Sequence, residues 1–316
     1  IHQYHALLGV LGTTILLPVI HAEEKEQRVH DLPGIVVTAT SSGNPQPSLA
    51  KLPMSIQETP QSVTVISKKV LEQQNSTELE EAMNHATGII VQPFVLLTTA
   101  YYARGFKINS FEIDGVPVAM GGMASPPQDL SSYEQIEILR GANGLLHGSG
   151  NPSATINFVR KKPSQEFKGN IALSAGSFDN YRGDIDVQGP LNKAGTVRGR
   201  LSAAYNDRGF QADIAKQQNK ILYGITEFDL SPTTMISIGG NYQRITSTTD
   251  MAGVPMDQDG KSLNLPRSTY LNTDWSQFNW TVKRVFGSVK QELPHDWLVT
   301  LSGEYQKTDS FLKYAG

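Results

Sequence analysis

The sequence of 316 residues has no cysteine, which excludes a disulfide scaffold, thiol catalysis and cysteine-ligated zinc. Charge is scarce as well: 18% of the residues are Asp, Glu, Lys or Arg and the formal net charge is −3, against a charged fraction of about a quarter in an average soluble domain. There is no long basic run, which argues against nucleic acid as a partner, because neutralising a phosphate backbone needs clustered Lys and Arg. The histidines, at 2, 5, 21, 30, 85, 147 and 295, have no metal-ligand spacing. Carboxylates are scattered and no Ser, His and Asp arrangement stands out, so neither catalytic residues nor a metal site of the protein's own are expected. No apolar run reaches the roughly 20 residues of a membrane-spanning helix. Three classes remain: a cytosolic globular protein, a secreted one, or a β-barrel whose alternating strands hide their apolar content from averages.

Residues Ala6 to Ile20 form an apolar run, ALLGVLGTTILLPVI, followed by His21-Ala22 and the charged stretch Glu23 to Arg28. This is the shape of a signal-peptide core with a small residue at the cleavage point, which assigns residues 1–22 to export. The segment before it, IHQYH, has no Lys or Arg. A buried core helix is the competing reading, and Pro18 interrupts it. From residue 23 to 50 the chain is polar and broken by Pro33, Pro45 and Pro47, with one β-branched island, Ile35, Val36, Val37, Thr38 and Ala39. A flexible arm with one strand-forming pentapeptide suits pairing with the edge strand of another protein, although the same residues could open the next domain.

Residues 51–163 read as a compact α+β module. Ser62 to Ile66 alternates as a short strand, Ser67 can cap a helix running through Leu71, and Ser76 a second one to about His85, with Leu79 and Met83 on a buried face. Ile89 to Val91, Phe111 to Ile113 and Ile136 to Leu139 read as strands between Gly and Pro turns.

From Phe167 the pattern changes to period two. One-sided apolar sets are Ile171, Leu173 and Ala175; Ile185 and Val187; Val197, Leu201, Ala203 and Tyr205; Leu222, Thr226, Phe228 and Leu230; Ile236, Ile238 and Tyr242; Phe278, Trp280 and Val282; and Trp297, Val299, Leu301 and Tyr305. Arg198, Arg200 and Asn206 occupy the other face of the third strand. Seven such strands, joined alternately by tight turns such as Pro190 to Gly195 or Ser231-Pro232-Thr233 and by longer polar loops such as Thr246 to Asp274, are the signature of an outer-membrane barrel with its apolar face on lipid. Phe210, Tyr270, Trp275 and Trp297 would sit at the membrane interfaces. A soluble antiparallel sandwich shows the same alternation.

The most specific stretch is Tyr133 to Pro163, YEQIEILRGANGLLHGSGNPSATINFVRKKP: a strand, a segment studded with Gly141, Gly144, Gly148 and Gly150, and a second strand. No Lys-Ser or Lys-Thr follows the glycines, so it is not a phosphate loop. The stretch resembles the plug domain of TonB-dependent outer-membrane receptors, most closely the ferric-siderophore receptors. Thr59 to Ser67 (TPQSVTVIS) and Tyr102 to Pro117 (YARGFKINSFEIDGVP) are similar to further plug elements, and Ile35 to Ala39 (IVVTA) to the TonB box. Gly176 to Asp186 and Leu265 to Trp280 resemble the early barrel of the same group. Ala142, His147 and Ser153-Ala154 depart from the family pattern.

The resemblance implies an α+β plug, residues 51–163, followed by an antiparallel transmembrane β-barrel of about 22 strands, of which residues 164–316 supply about seven; the chain is therefore expected to be a truncated fragment that does not insert by itself. It implies a receptor in the outer-membrane lipid that binds and actively imports ferric siderophore, the iron being carried inside the chelate without a protein cofactor. The box at Ile35, Val36, Val37, Thr38 and Ala39 would be taken up as a strand by TonB in the periplasm. Tyr101, Tyr102, Met120 and Met123, on plug loops at the ligand-facing end, are the expected contacts with the chelate. Arg104 and Arg140 would lock the plug against carboxylates of the barrel's inner wall, with Glu304 a candidate partner. The short segment ahead of residue 35 leaves no room for a folded signalling domain, so a plain transporter is expected. Another cargo, such as a cobalamin, a haem or a saccharide, a passive porin, and a non-functional truncated remnant are the alternatives.

Overall fold

The computed structural model describes residues 2–16, 62–95, 98–120, 126–141, 152–248, 255–295 and 297–314, and for 2–16, 94 and 95 the backbone only. The module between residues 62 and 160 contains β2 (Ser62–Ser67), α1 (Lys68–Gln73), α2 (Leu79–Asn84), β3 (Ile89–Val95), β4 (Thr98–Ala103), β5 (Phe106–Lys107), β6 (Ser110–Ile113), β7 (Val116–Val118), β8 (Tyr133–Arg140) and β9 (Ala154–Arg160). Two sheets form, ordered β2-β8-β9-β6-β7 and β3-β4-β5. They close on one core in which Met83, Ile108, Ile113, Ile136, Ile138, Ile156 and Phe158 are almost wholly buried. Ile136 and Ile138 alternate along β8 toward that core, which is the period-two signal that made the strand readable.

The α2 start differs from the sequence expectation. Ser76 is buried and does not cap; the N-cap is Glu78, in a reciprocal box with Glu81, whose Oε2 accepts from the backbone N–H of Glu78 at 3.0 Å and of Thr77 at 2.6 Å. Carboxylates at this end also complement the helix dipole, which a serine hydroxyl does only weakly.

After residue 163 come β10 (Lys168–Gly176), β11 (Asn180–Pro190), β12 (Val197–Gly209), β13 (Lys216–Ser231), β14 (Thr234–Thr248), β15 (Gln277–Leu293) and β16 (Trp297–Lys313). Each pairs antiparallel with the next, and all seven fall on the alternating segments read from the sequence. β12 to β16 run 13 to 17 residues, longer than the roughly 9–11 that a tilted strand needs to cross a bilayer. No helix among the described residues is long and apolar enough to cross one. Turns at 191–196 and 232–233 close one end of the sheet, while the β14–β15 connection at the other end is long.

The eighth strand, β1 (His2–Leu16), pairs antiparallel with β16 from His2 opposite Leu312 to Leu16 opposite Leu298. Most of the apolar run assigned to export thus lies along the edge of β16, satisfying backbone groups that an open edge leaves unpaired.

The two faces of the sheet are chemically distinct. Leu173, Leu201, Leu222, Ile238, Val285 and Leu301 are exposed on the outside, whereas Arg182, Arg198, Arg200, Asn206, Gln217, Asn219 and Arg284 point inward and are buried. One strand corrects the sequence reading. Phe278, Trp280 and Val282 are buried on the inward face, and the outward residues of β15 are those between them and Val285. The Phe278 and Trp280 rings meet at a tilt of 36° with centroids 3.7 Å apart and pack with Ile245, Phe210 and Leu312. Phe210 is therefore part of an inner apolar cluster and not a membrane-interface residue. Lower on the same face Tyr223 stacks on Phe286, and Gly239 leaves the room for it: a Cβ there would stand 2.6 Å from both the Gly224 carbonyl oxygen and the Phe286 ring.

Candidate functional site at the plug and the inner wall

The plug meets the inward face of the curved sheet through charges and hydrogen bonds, and each is presented by a defined element. Glu78, held by the α2 cap, accepts from Arg208 of β12 at 3.1 Å and from Gln217 of β13 at 3.2 Å. Burial pushes its carboxyl above the usual carboxylate range, with the Arg208 charge pulling the other way. Asp129, bridged to the Glu78 backbone, accepts from Arg182 of β11 at 2.7 and 3.3 Å and from Asn219 at 3.3 Å. Both ends of the Arg182–Asp129 pair are buried, and the forked approach of two N–H groups to two oxygens is the strong geometry for such a contact.

Further toward the tight-turn end the pattern is denser. Asp186 of β11 gathers Lys161 at 2.7 Å, Arg200 at 2.8 and 2.9 Å and the Ser202 hydroxyl at 3.0 Å, with Lys68 of α1 at 3.7 Å. Burial lowers the Lys161 ammonium below its ordinary value, opposed by its bond to Asp186. Arg200 also reaches Glu134 at 3.2 Å and the Lys162 carbonyl at 2.9 Å. Neutral bonds complete the seam: Tyr223 to the Lys161 carbonyl at 2.6 Å, Asn241 to Ser132 at 2.8 Å and Gln243 to the Pro127 carbonyl at 3.0 Å. A cavity of about 420 Å³ lies between α1, residues 130–133 and strands β10 to β12, lined by Lys68, Thr77, Lys161, Arg182 and Asp186.

Arg160, the last residue of β9, carries another buried pair. Its guanidinium bonds Asp114 at 2.9 Å and Glu304 of β16, and lies 3.8 Å over the Phe286 ring. Glu304 is shared with Arg284 at 3.5 Å. Asp114 is aimed by the β6–β7 turn, where it holds a positive φ of 50° ahead of Gly115, and it also accepts from the Arg160 backbone N–H at 3.0 Å. A buried guanidinium needs its carboxylates, and this one has two.

The contacts with the wall expected of Arg104 and Arg140 are made by other residues. Glu304 faces Arg160, not Arg104 or Arg140. Arg140 bonds within the plug, to the Thr64 hydroxyl at 2.6 Å and the Thr87 carbonyl at 2.5 Å. Burial and the neighbouring Arg104 charge lower it from its ordinary value. Arg104 is exposed in the β4–β5 turn at a φ of 53°, and its Nη1 lies 2.7 Å from where a Cβ on Gly141 would stand. Most of the carboxylates belong to the plug and most of the arginines to the wall, the reverse of the expectation. Arg198 and Arg200 had been readable as polar-face residues; Glu78, Asp114 and Asp129 had no local pattern to mark them.

Tyr101 and Tyr102, expected on a loop, lie in a strand: β3 and β4 pair as a hairpin whose two faces part the candidate ligand residues. Tyr101 is buried, edge-on to Phe111 at 6.4 Å, and Met120 packs against the same core. Tyr102 faces the other way, opposite Ile90, which is 63% exposed. Met123 and the pentapeptide Ile35 to Ala39 lie outside the described residues.

An α+β module seated by polar contacts against the inner wall of a curved antiparallel sheet, with apolar residues on the outside, defines a plugged membrane barrel. Residues 55–155 match the TonB-dependent receptor plug domain. The chain is 37% identical over 273 residues to the ferripyoverdine receptor of Pseudomonas aeruginosa, which takes in 84% of this chain and 32% of that protein. The crystal structure of the ferripyoverdine receptor of the outer membrane of P. aeruginosa bound to ferripyoverdine superposes with a TM-score of 0.78 at 36% identity, over 82% of this chain and 35% of that one. The alcaligin outer membrane receptor of Bordetella pertussis gives 0.70 at 30% identity, over 84% and 42%. Residues 55–155 are thus a TonB-dependent receptor plug domain, and the chain as a whole is similar to siderophore receptors of the outer membrane. It spans about a third of the length of the curated relatives it matches, so its sheet is part of a barrel.

Proposed function

We propose that this chain is the plug and first barrel strands of an outer-membrane receptor that binds a ferric siderophore and imports it with energy delivered through TonB. The observation that carries the reading is the run of 36–37% identity with ferripyoverdine receptors, which extends through plug and strands together, and the geometry gives it a physical sense. A plug held by many separate ion pairs and hydrogen bonds is fixed at rest, yet each contact can be exchanged for water when the plug is pulled, which an apolar seam would resist. The pulling handle is the segment Ile35, Val36, Val37, Thr38 and Ala39, offered to TonB as an added strand. Residues 1–22 direct export; their removal takes β1 away and opens the edge of β16 to a following strand of the complete barrel.

Chelate contact falls to the outward face of the β3–β4 hairpin, with Tyr102 and Ile90, and to Met123. Tyr101 and Met120 support that hairpin from the core. The iron arrives and leaves inside the chelate. The test is binding of radiolabelled ferric siderophores, including ferric pyoverdines, to cells that express the receptor carrying this chain and were grown without iron. Saturable binding of a ferric chelate is expected; binding of cobalamin, haem or a saccharide in its place would overturn the cargo assignment.

A further inference from the structure

The cavity between the plug and strands β10 to β12 is lined by more hydrogen-bond donors than its own acceptors engage. Ser76, which the sequence offered as a helix cap, is 6% exposed and lines this cavity, and its hydroxyl has no partner. The buried hydroxyl oxygen of Ser131 lines it too and has none either. Groups of this kind are satisfied in folded proteins, by the protein itself or by what fills the space beside them.

The charges around the cavity point the same way. Among the described residues, both oxygens of Asp186 accept from Arg200, at 2.8 and 2.9 Å, and both of Asp184 from Arg182, at 2.7 and 2.8 Å. That leaves the ammonium groups of Lys161 and Lys68 sharing one oxygen of an Asp186 already engaged, at 2.7 and 3.7 Å. Lys68 also has Glu72 at 3.7 Å, on an exposed side chain. Lys161 is buried, and one of its three N–H donors is spent on Asp186. Two like charges meeting over one carboxylate repel each other, the more so away from water. Across the cavity β10 contributes Asn170 and Ser174, both uncharged. What fits here accepts hydrogen bonds, carries negative charge and is small, since about 420 Å³ holds an ion with a shell of water at about 30 Å³ per molecule.

We propose that this cavity binds a small tetrahedral oxyanion of the phosphate or sulfate kind, held by Lys68, Lys161, Ser76 and Ser131 of the plug. Such an ion presents oxygens in four directions, to two ammonium groups and two hydroxyls, and bonds to charged donors are the strong ones. It offsets the two neighbouring ammonium groups and gives the unpartnered hydroxyls an acceptor. The walls belong to plug and strands together, so the complete site exists only while the plug is seated. The site makes no use of the chelate or of TonB.

The receptor carrying this chain, purified in neutral detergent, is dialysed to equilibrium against radiolabelled inorganic phosphate in a buffer of fixed ionic strength. One saturable equivalent per receptor is expected, displaced by sulfate, with affinity falling about tenfold or more when Lys68→Gln and Lys161→Gln are combined. Ser76→Ala separates a bound ion from plain water. In buffer alone it leaves the unfolding midpoint unchanged or higher, because an unpartnered hydroxyl is removed, and it reduces the rise in midpoint that phosphate gives the parent receptor. If the double lysine variant does not give a folded, heat-modifiable band, Lys68→Gln and Ser76→Ala are measured singly. No saturable binding, or saturable binding that the lysine and serine variants leave unchanged, overturns the site. Displacement by chloride at the concentration at which sulfate displaces phosphate overturns the assignment to an oxyanion.

Discussion

At the scale of single residues the molecule is held by carboxylates whose surroundings differ. Glu304 sits between Arg160 and Arg284 with its side chain 5% exposed, so Glu304→Gln leaves two buried guanidiniums short of charge, and a loss of about 3–5 kcal/mol is expected. Arg140→Met removes hydrogen bonds to neutral groups only and is expected to cost less, about 1.5–3 kcal/mol. Urea unfolding of the complete receptor in detergent orders the two; equal losses would remove Arg160 from its central place. Glu78 behaves in the opposite sense to an ordinary ion-paired carboxylate. Its folded pKa is raised from 4.5, so the folded state holds the proton more tightly, and the contribution to stability is full below about pH 4.5 and lost as pH rises through the folded value. Glu78→Gln is therefore expected to gain on the parent chain between pH 4 and pH 7, read as a rising difference in unfolding midpoint; a difference that falls over that range would contradict the burial argument.

At the scale of elements, alternation decides roles that residue type does not. Tyr101 and Tyr102 are adjacent and chemically identical, and both were candidates for ligand contact; the β3–β4 pairing sends the first into the core and leaves the second outward. Tyr101→Ala is expected to destabilise the plug by about 3–5 kcal/mol. Tyr102→Ala is expected to leave the unfolding midpoint nearly unchanged and to weaken chelate binding, and a Tyr102 variant with full affinity would exclude the hairpin face. The β14 strand offers a second case. Gly239→Ala places a methyl group against the Gly224 carbonyl and the Phe286 ring, neither of which can move freely, and a loss of about 1–3 kcal/mol is expected in the same measurement. The strands after residue 163 were legible because period two is a local signal, whereas β1, β4, β5 and β7, without a clear alternation of their own, were not read as strands. The face was not always legible: Phe278, Trp280 and Val282 look like lipid-facing residues until the register with β16 is known, since an inner apolar cluster and an outer apolar band have the same spacing. Helix capping failed for a similar reason, Ser76 and Glu78 both being competent and the box with Glu81 deciding between them.

At the scale of the whole molecule, the division into an α+β plug and a one-sided antiparallel sheet was readable in the change of texture near residue 164, and the Gly-rich stretch with its flanking strands carried the family. The docking of one part on the other was not readable, because it joins residues far apart in sequence: Glu78 to Arg208, Asp129 to Arg182 and Arg160 to Glu304. Single acids in plug loops carry no periodic mark, and an arginine in a conspicuous motif, such as Arg140, attracts a role that a less conspicuous one, Arg160, performs. In the proposed transport cycle a plug so docked is drawn through its N-terminal arm by TonB to admit a ferric chelate. The most direct test is uptake of radiolabelled ferric siderophore by cells expressing the complete receptor with Val37→Pro, since proline cannot complete the pairing of an added strand. Binding at the cell surface at the parent level with uptake reduced to that of a TonB-deficient strain is predicted; uptake by the variant equal to that of the parent receptor would contradict the account.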